Sequence, residues 1–237
     1  MKFFALPAAI VTLFSAAAGV FAIPQRSFTP VIDGKGDEEV WKSLPSLGGS
    51  FTRIGTREKV ADQTGFKTFH NGKYWFFLIE CMEPATAKLR TASSGRTYAI
   101  NRWQDDSIEL TFSADTALLT LVKYFINAKG DVTVFNLRDK NISKPAYNAT
   151  LGIPSAKTGA VIGKDRWTLE VAIPIAAIPN AGMKNAVWRF GIGRNRYAGG
   201  KEELSGLVPL SRPQHLTPHE FPTAKLNNFE AEKFNIQ

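Results

Sequence analysis

The sequence predicts an all-β chain folded as a two-sheet antiparallel β-sandwich. Three observations carry this: apolar residues alternate with polar ones over short runs, turn-forming residues stand between the runs, and the 237 residues include 17 Phe, 19 Gly and 13 Pro. Aromatic side chains suit a pleated, half-buried surface, while Gly and Pro supply turns. With 44% hydrophobic and 21% charged residues, the composition excludes disorder, collagen-like repeats and coiled coil. A single cysteine excludes an internal disulfide framework and any multi-cysteine zinc or iron-sulfur site.

At the start of the chain, Met1 and Lys2 give a short positive region. Phe3 to Ala18 follows as an apolar run interrupted at Pro7 and Ser15, and Val20-Phe21-Ala22 resembles a signal-peptidase recognition site. Residues 1–22 are therefore expected to be a cleaved signal peptide, and 23–237 a single exported domain, periplasmic or extracellular. The apolar stretch falls at the short edge of the roughly 20 residues that span a bilayer, so no transmembrane segment is expected after cleavage. The formal charge of +8 is scattered. Its densest group, Arg189, Arg194 and Arg196, has no aromatic-basic recognition motif beside it, which argues against a nucleic-acid partner.

Thr64 to Phe69 and Tyr74 to Met82 flank Asn71-Gly72, a strong hairpin signal. Trp75, Phe77, Ile79 and Cys81 share one face of the second strand, so Cys81 is expected in the core, its thiol protonated and inert. In Asp106 to Phe112, Ile108, Leu110 and Phe112 face the core while Ser107, Glu109 and Thr111 face away; the same parity carried back joins Trp103 to Glu109. Tyr124 to Asn127 and Asp131 to Phe135 form a second hairpin about Gly130. Residues 137–165 read as a long connection or weak edge strands. Trp167 to Ile173 alternates and stops at Pro174, which has no N–H to give. Val187 to Arg194 buries Trp188, Phe190 and Ile192 and leaves Gly191 and Gly193 opposite, a sign of a bulge or of something approaching the backbone. One face of each sheet is expected in the core and the other in solvent.

These segments carry a family resemblance. Val31-Ile32-Asp33-Gly34 through Asp37-Glu38-Glu39-Val40-Trp41 resembles the opening of carbohydrate-binding module family 9. Trp103 to Leu110 resembles that family's "W..D.VE" strand, Phe125 to Gly130 its "F.VN..G" hairpin, Trp167 to Pro174 its "W..E.AIP" strand, and Phe190 to Arg194 its "F.I.R" strand. The resemblance covers residues 28 to 229 in order. It implies a sandwich shared with related haem-binding domains, often attached to secreted polysaccharide-degrading enzymes, that binds sugars between two tryptophans with polar side chains on the hydroxyls.

On that resemblance Trp103 takes the place of the first tryptophan and Glu109 that of a hydroxyl-binding carboxylate. His215 stands where the second tryptophan would be, and Phe125 where the family has an arginine. An indole suits the apolar C–H face of a pyranose, and charged or amide groups suit its hydroxyl rim. Asn195, on the Gly191 and Gly193 face, and Arg194 are further candidates, although Arg194 or Arg196 equally suits a pairing with Asp105 or Asp106. The expected ligand is a saccharide or polysaccharide, with secreted glycoside hydrolases as partners and xylan or cellulose catabolism as the setting.

Catalytic chemistry is thin. Histidine occurs only at 70, 215 and 219, with no nucleophile-elbow pattern, and no carboxylate pair stands out as that of a glycosidase. His215 and His219 have the spacing of a helical metal pair, but Thr217-Pro218 disfavours a helix through both. No cofactor is expected; calcium at Asp33, Asp37 and Glu38 is the one metal the acids suggest. Two other classes stay open: a haem b electron-transfer domain using Met82, and a structural or docking module of the cell envelope that has lost sugar binding.

Overall fold

The alternating segments fold as strands in a computed structural model that describes residues 20–92, 104–114, 120–138, 156–183, 186–211 and 217–230. Among the described residues thirteen strands follow one another: β1 (Val20–Ile23), β2 (Leu47–Gly48), β3 (Thr52–Arg53), β4 (Thr64–His70), β5 (Tyr74–Met82), β6 (Ser107–Ser113), β7 (Thr120–Asn127), β8 (Val132–Arg138), β9 (Lys157–Ile162), β10 (Arg166–Pro174), β11 (Trp188–Arg196), β12 (Glu203–Gly206) and β13 (Thr223–Leu226). One short helix, α1 (Glu39–Ser43), lies between β1 and β2. No helix among the described residues is long and apolar enough to cross a membrane.

The strands build two sheets. The larger runs β1-β13-β11-β6-β7-β8, with β12 joining β11 to β3; the smaller runs β2-β4-β5-β10-β9. Both expected hairpins are present: His70 pairs with Trp75 across the Asn71-Gly72 turn, and Ile126 with Val132 across Gly130. Gly72 and Gly130 have φ of +87° and +84°, values that other residues adopt at a cost. Asn71 Oδ1 accepts from the N–H groups of Lys73 and Tyr74 and so closes the first turn. Of 137–165, read as a long connection or weak edge strands, Lys157–Ile162 is an edge strand and 139–155 lies outside the described residues.

Between the sheets the predicted faces meet. Trp75, Phe77 and Ile79 of β5, Leu110 and Phe112 of β6, and Phe190 of β11 are fully buried in one cluster. Cys81 belongs to it, and burial pushes its thiol up to about 11, so the structural role expected for it holds.

The outer faces differ from expectation, since neither is simply solvated. Behind the smaller sheet Trp41, Leu44, Phe69, Phe76, Leu78 and Ala172 form a second apolar cluster. Glu170 on β10 holds this cover in place. Its carboxylate accepts from the N–H groups of Asp33 (3.0 Å) and Gly34 (2.7 Å) and from Trp41 Nε1 (2.7 Å). Burial nevertheless raises its pKa above the ordinary carboxylate range. Gly34 has φ +88° and its missing Cβ would fall 2.6 Å from the Ala160 backbone, so this close approach requires glycine. The Ile32-Asp33-Gly34, Trp41 and Glu170 motifs therefore form one structural joint.

Behind the larger sheet the cover is of another kind. Ser107, Glu109, Thr111, Lys123, Asn127, Thr133 and Asn195 are all buried, on the face expected to meet water.

Candidate functional site on the outer face of the larger sheet

Register brings the polar residues of three strands side by side. On β6, Ser107, Glu109 and Thr111 face Asn127, Phe125 and Lys123 of β7 on one side, and Asn195, Gly193 and Gly191 of β11 on the other. Odd-numbered positions on all three strands point away from the main core, which follows from the period-two pleat.

Glu109, 3% exposed, sits at the centre. Its Oε2 lies 2.5 Å from Lys123 Nζ, and its Oε1 accepts from Asn195 Nδ2 at 2.8 Å. Asn195 Nδ2 also donates to Ser107 Oγ at 3.1 Å. Lys123 is 0% exposed and its ammonium stands 4.9 Å from the centroid of the Phe125 ring. Burial pushes the Lys123 pKa down, with Glu109 pulling against it. Phe125 meets Phe135 of β8 edge to face, with ring centroids 5.4 Å apart. Asn127 extends the polar strip, donating to Asp105 Oδ2 and Asp131 Oδ2 and accepting at Oδ1 from the N–H groups of Lys129 and Asp131.

Asp105 and Asp106 tie the chain on either side of 93–103 to the end of this face. Asp106 Oδ2 accepts from Arg90 N–H at 2.7 Å, Asp105 Oδ1 from Ala92 N–H at 3.1 Å, and Asp106 N–H donates back to the Arg90 carbonyl at 2.8 Å. The other oxygen of Asp106 accepts from Tyr197 and Ala198 N–H. The chain on either side of 93–103 thus stands near Ser107, at the Asn195 end of the strip. Trp103 and His215 themselves lie outside the described residues.

Of the residues expected at the site, Glu109, Asn195 and Phe125 share the outer face. Arg194 does not. It has the parity of Phe190 and Ile192, is 1% exposed, and reaches between the sheets to donate to the carbonyls of Asp62 (3.0 Å) and Met82 (2.9 Å) and to Glu83 Oε2 (3.2 Å). Its ion-pair partner is Glu83, shared with Arg196, in place of the expected Asp105 or Asp106. The Gly191 reading resolves as close approach without a bulge: the β6–β11 register is continuous from Arg189 to Asn195, and a Cβ on Gly191 would fall 2.8 Å from the Phe221 ring.

Sequence reasoning missed Lys123, although its parity with Phe125 inside Leu121 to Ile126 points it away from the core; its place against Thr111 and beside Glu109 is set by the β6–β7 register. The acids Asp33, Asp37 and Glu38 make no calcium site. Asp33 pairs with Lys35, Glu38 Oε1 accepts from Val31 N–H, and no group of three acidic, histidine or cysteine side chains among the described residues could hold a metal. Pro218 to Glu220 form a single 3-10 turn, so His219 is on no helix of the length a metal pair needs.

No protein-family model matches the sequence, and no curated protein matches it. Solved structures do. A protein of Bacteroides uniformis provisionally assigned to carbohydrate binding superposes with a TM-score of 0.67 at 13% identity, over 88% of this chain and 99% of that one. A carbohydrate-binding module of family 9 from Caldicellulosiruptor kristjanssonii, in complex with glucose, gives 0.60 at 15% identity over 87% and 95%. The same kind of module with cellotriose gives 0.60 at 14% identity over 87% and 93%. The fold is therefore the β-sandwich of carbohydrate-binding module family 9.

Proposed function

We propose that this chain is a non-catalytic saccharide-binding module, exported and working beside secreted polysaccharide-degrading enzymes. The ligand lies on the outer face of the larger sheet, with Trp103 as its stacking surface and Glu109 and Asn195 as partners for its hydroxyls. The observation that carries this reading is the strip of Glu109, Lys123, Asn195 and Asn127, polar groups withdrawn from water on one sheet face. These groups bond to one another, which offsets the cost of withdrawing them from water, and carboxylate, ammonium and amide groups are those that recognise a sugar's hydroxyl rim. The fold shared with modules in complex with glucose and cellotriose supports a β-linked glucan as ligand class. One indole with a few polar partners corresponds to a dissociation constant in the millimolar to micromolar range, about 4 to 8 kcal/mol.

The test is affinity electrophoresis of the exported chain on soluble cellulose derivatives and xylans, alongside Trp103→Ala. Retention by the parent, lost in Trp103→Ala with an unchanged circular dichroism spectrum, is the expected result. Retention unchanged by the substitution overturns the placement, and no retention on any glycan overturns the function.

One observation favours a second reading. Glu109, Lys123 and Asn195 bond to one another, as they would in a docking module whose polar strip only specifies the fold. That reading expects co-purification with an envelope partner and no glycan retention. For haem b, His70 is no partner to Met82: it pairs opposite Trp75, seven residues from Met82 along β5, roughly 23 Å at 3.3 Å per residue.

A further inference from the structure

Val20, Phe21 and Ala22, which a cut after Ala22 would remove, are part of the fold. β1 runs parallel to β13, pairing Val20 with Thr223, Phe21 with Ala224, Ala22 with Lys225 and Ile23 with Leu226. The Phe21 ring stands edge-on to Phe190 of the larger sheet, with centroids 5.3 Å apart at 80°, and 6.5 Å from Phe66 of the smaller. Phe21 therefore bridges both sheets at the border of the main core, against which it packs.

β13 depends on this partner. It meets β11 through only two residue pairs, Trp188 with Ala224 and Arg189 with Thr223, against four with β1. Without Val20 to Ala22, β13 keeps only the Ile23–Leu226 pair on that side and is otherwise a bare edge, and an aromatic contact between the sheets is lost. Both outcomes lower stability, and a bare edge invites aggregation.

The sequence offers an earlier cut. Ala16-Ala17-Ala18 puts alanine at both of the positions a signal peptidase reads, whereas Val20-Phe21-Ala22 puts a β-branched residue at one of them. Phe3 to Phe14 remains long enough for the apolar part of a leader.

We infer that the leader is removed between Ala18 and Gly19, so that the exported protein begins Gly19-Val20-Phe21 and keeps β1. Cleavage occurs on the extended chain before folding, so the structure acts on which terminus gives a stable product, not on access of the peptidase.

The experiment expresses the full chain with its own leader in a bacterial secretion host and measures the intact mass and N-terminal sequence of the soluble exported form. A start at Gly19, or one residue to either side, is expected. Any other terminus, Ile23 above all, or retention of Met1 to Ala18, overturns the inference. In parallel, leaderless chains beginning at Gly19 and at Ile23 are melted; the shorter one is expected to lose at least about 5 °C. Equal melting temperatures overturn the structural basis for the choice. Neither measurement depends on whether a glycan binds.

Discussion

Glu109 and Lys123 are an ion pair withdrawn from water, and their energetics follow from that. Removing one member leaves the other charge without its counterion, whereas removing both leaves none. Glu109→Gln and Lys123→Met are each expected to cost about 3 kcal/mol, and the double variant far less than the sum. Urea unfolding of the four proteins measures this; additive losses would mean that the pair is not coupled in solution. At this scale the sequence was legible wherever parity was followed strictly. Glu109, Phe125 and Asn195 fall on one face because they sit at odd steps of paired strands. Arg194 fails because its even step turns it inward, where the Glu83 carboxylate and the carbonyls of Asp62 and Met82 compensate its charge. Nothing in a strand of alternating residues announces that its polar side will be buried, because that depends on what packs over it.

At the scale of elements, the segment from Val31 to α1 is held to β10 chiefly through Glu170. Glu170→Ala leaves the Asp33, Gly34 and Trp41 N–H groups without their acceptor in a buried joint, at an expected cost of about 3 kcal/mol. Hydrogen exchange should then quicken at the Asp33 and Gly34 amides while the centres of β5 and β6 stay protected, because the segment opens as a local unit. Unchanged exchange at those two amides would show the carboxylate to be dispensable. The hairpins were legible because Asn71-Gly72 and Gly130 encode their own turns. The covered back of the smaller sheet had its own signal in Tyr74-Trp75-Phe76-Phe77-Leu78-Ile79, a run without alternation, which marks a strand buried on both sides. β2, β3, β12 and β13 have only two to four residues each, too few for a period to declare itself.

For the molecule as a whole, the two sheets are joined at one end by charge. Glu83, which follows β5 of the smaller sheet, receives Arg194 and Arg196 of the larger at 3.2 and 2.6 Å. Burial alone would raise the Glu83 pKa, but hydrogen bonds from Arg196 and the charge of both arginines outweigh it and hold the carboxyl below its ordinary value of 4.5. A folded pKa below the unfolded one gives stability that is complete above about pH 5 and is lost as pH falls through the folded value. Denaturation midpoints should therefore drop below pH 4.5, and Glu83→Gln should be less stable at neutral pH with a shallower acid decline. An identical acid slope in both proteins would remove Glu83 from the account. The two-sheet architecture was legible from the number of short strands; this clamp was not, since it joins residues more than a hundred positions apart.

The sealed back of the smaller sheet has a practical corollary. With Trp41 and Phe69 filling that side, the flank proposed for the ligand is the opposite one. The exposed amine of Lys42 on α1 therefore offers a tether point from which a biosensor chip or an appended enzyme would present that flank outward.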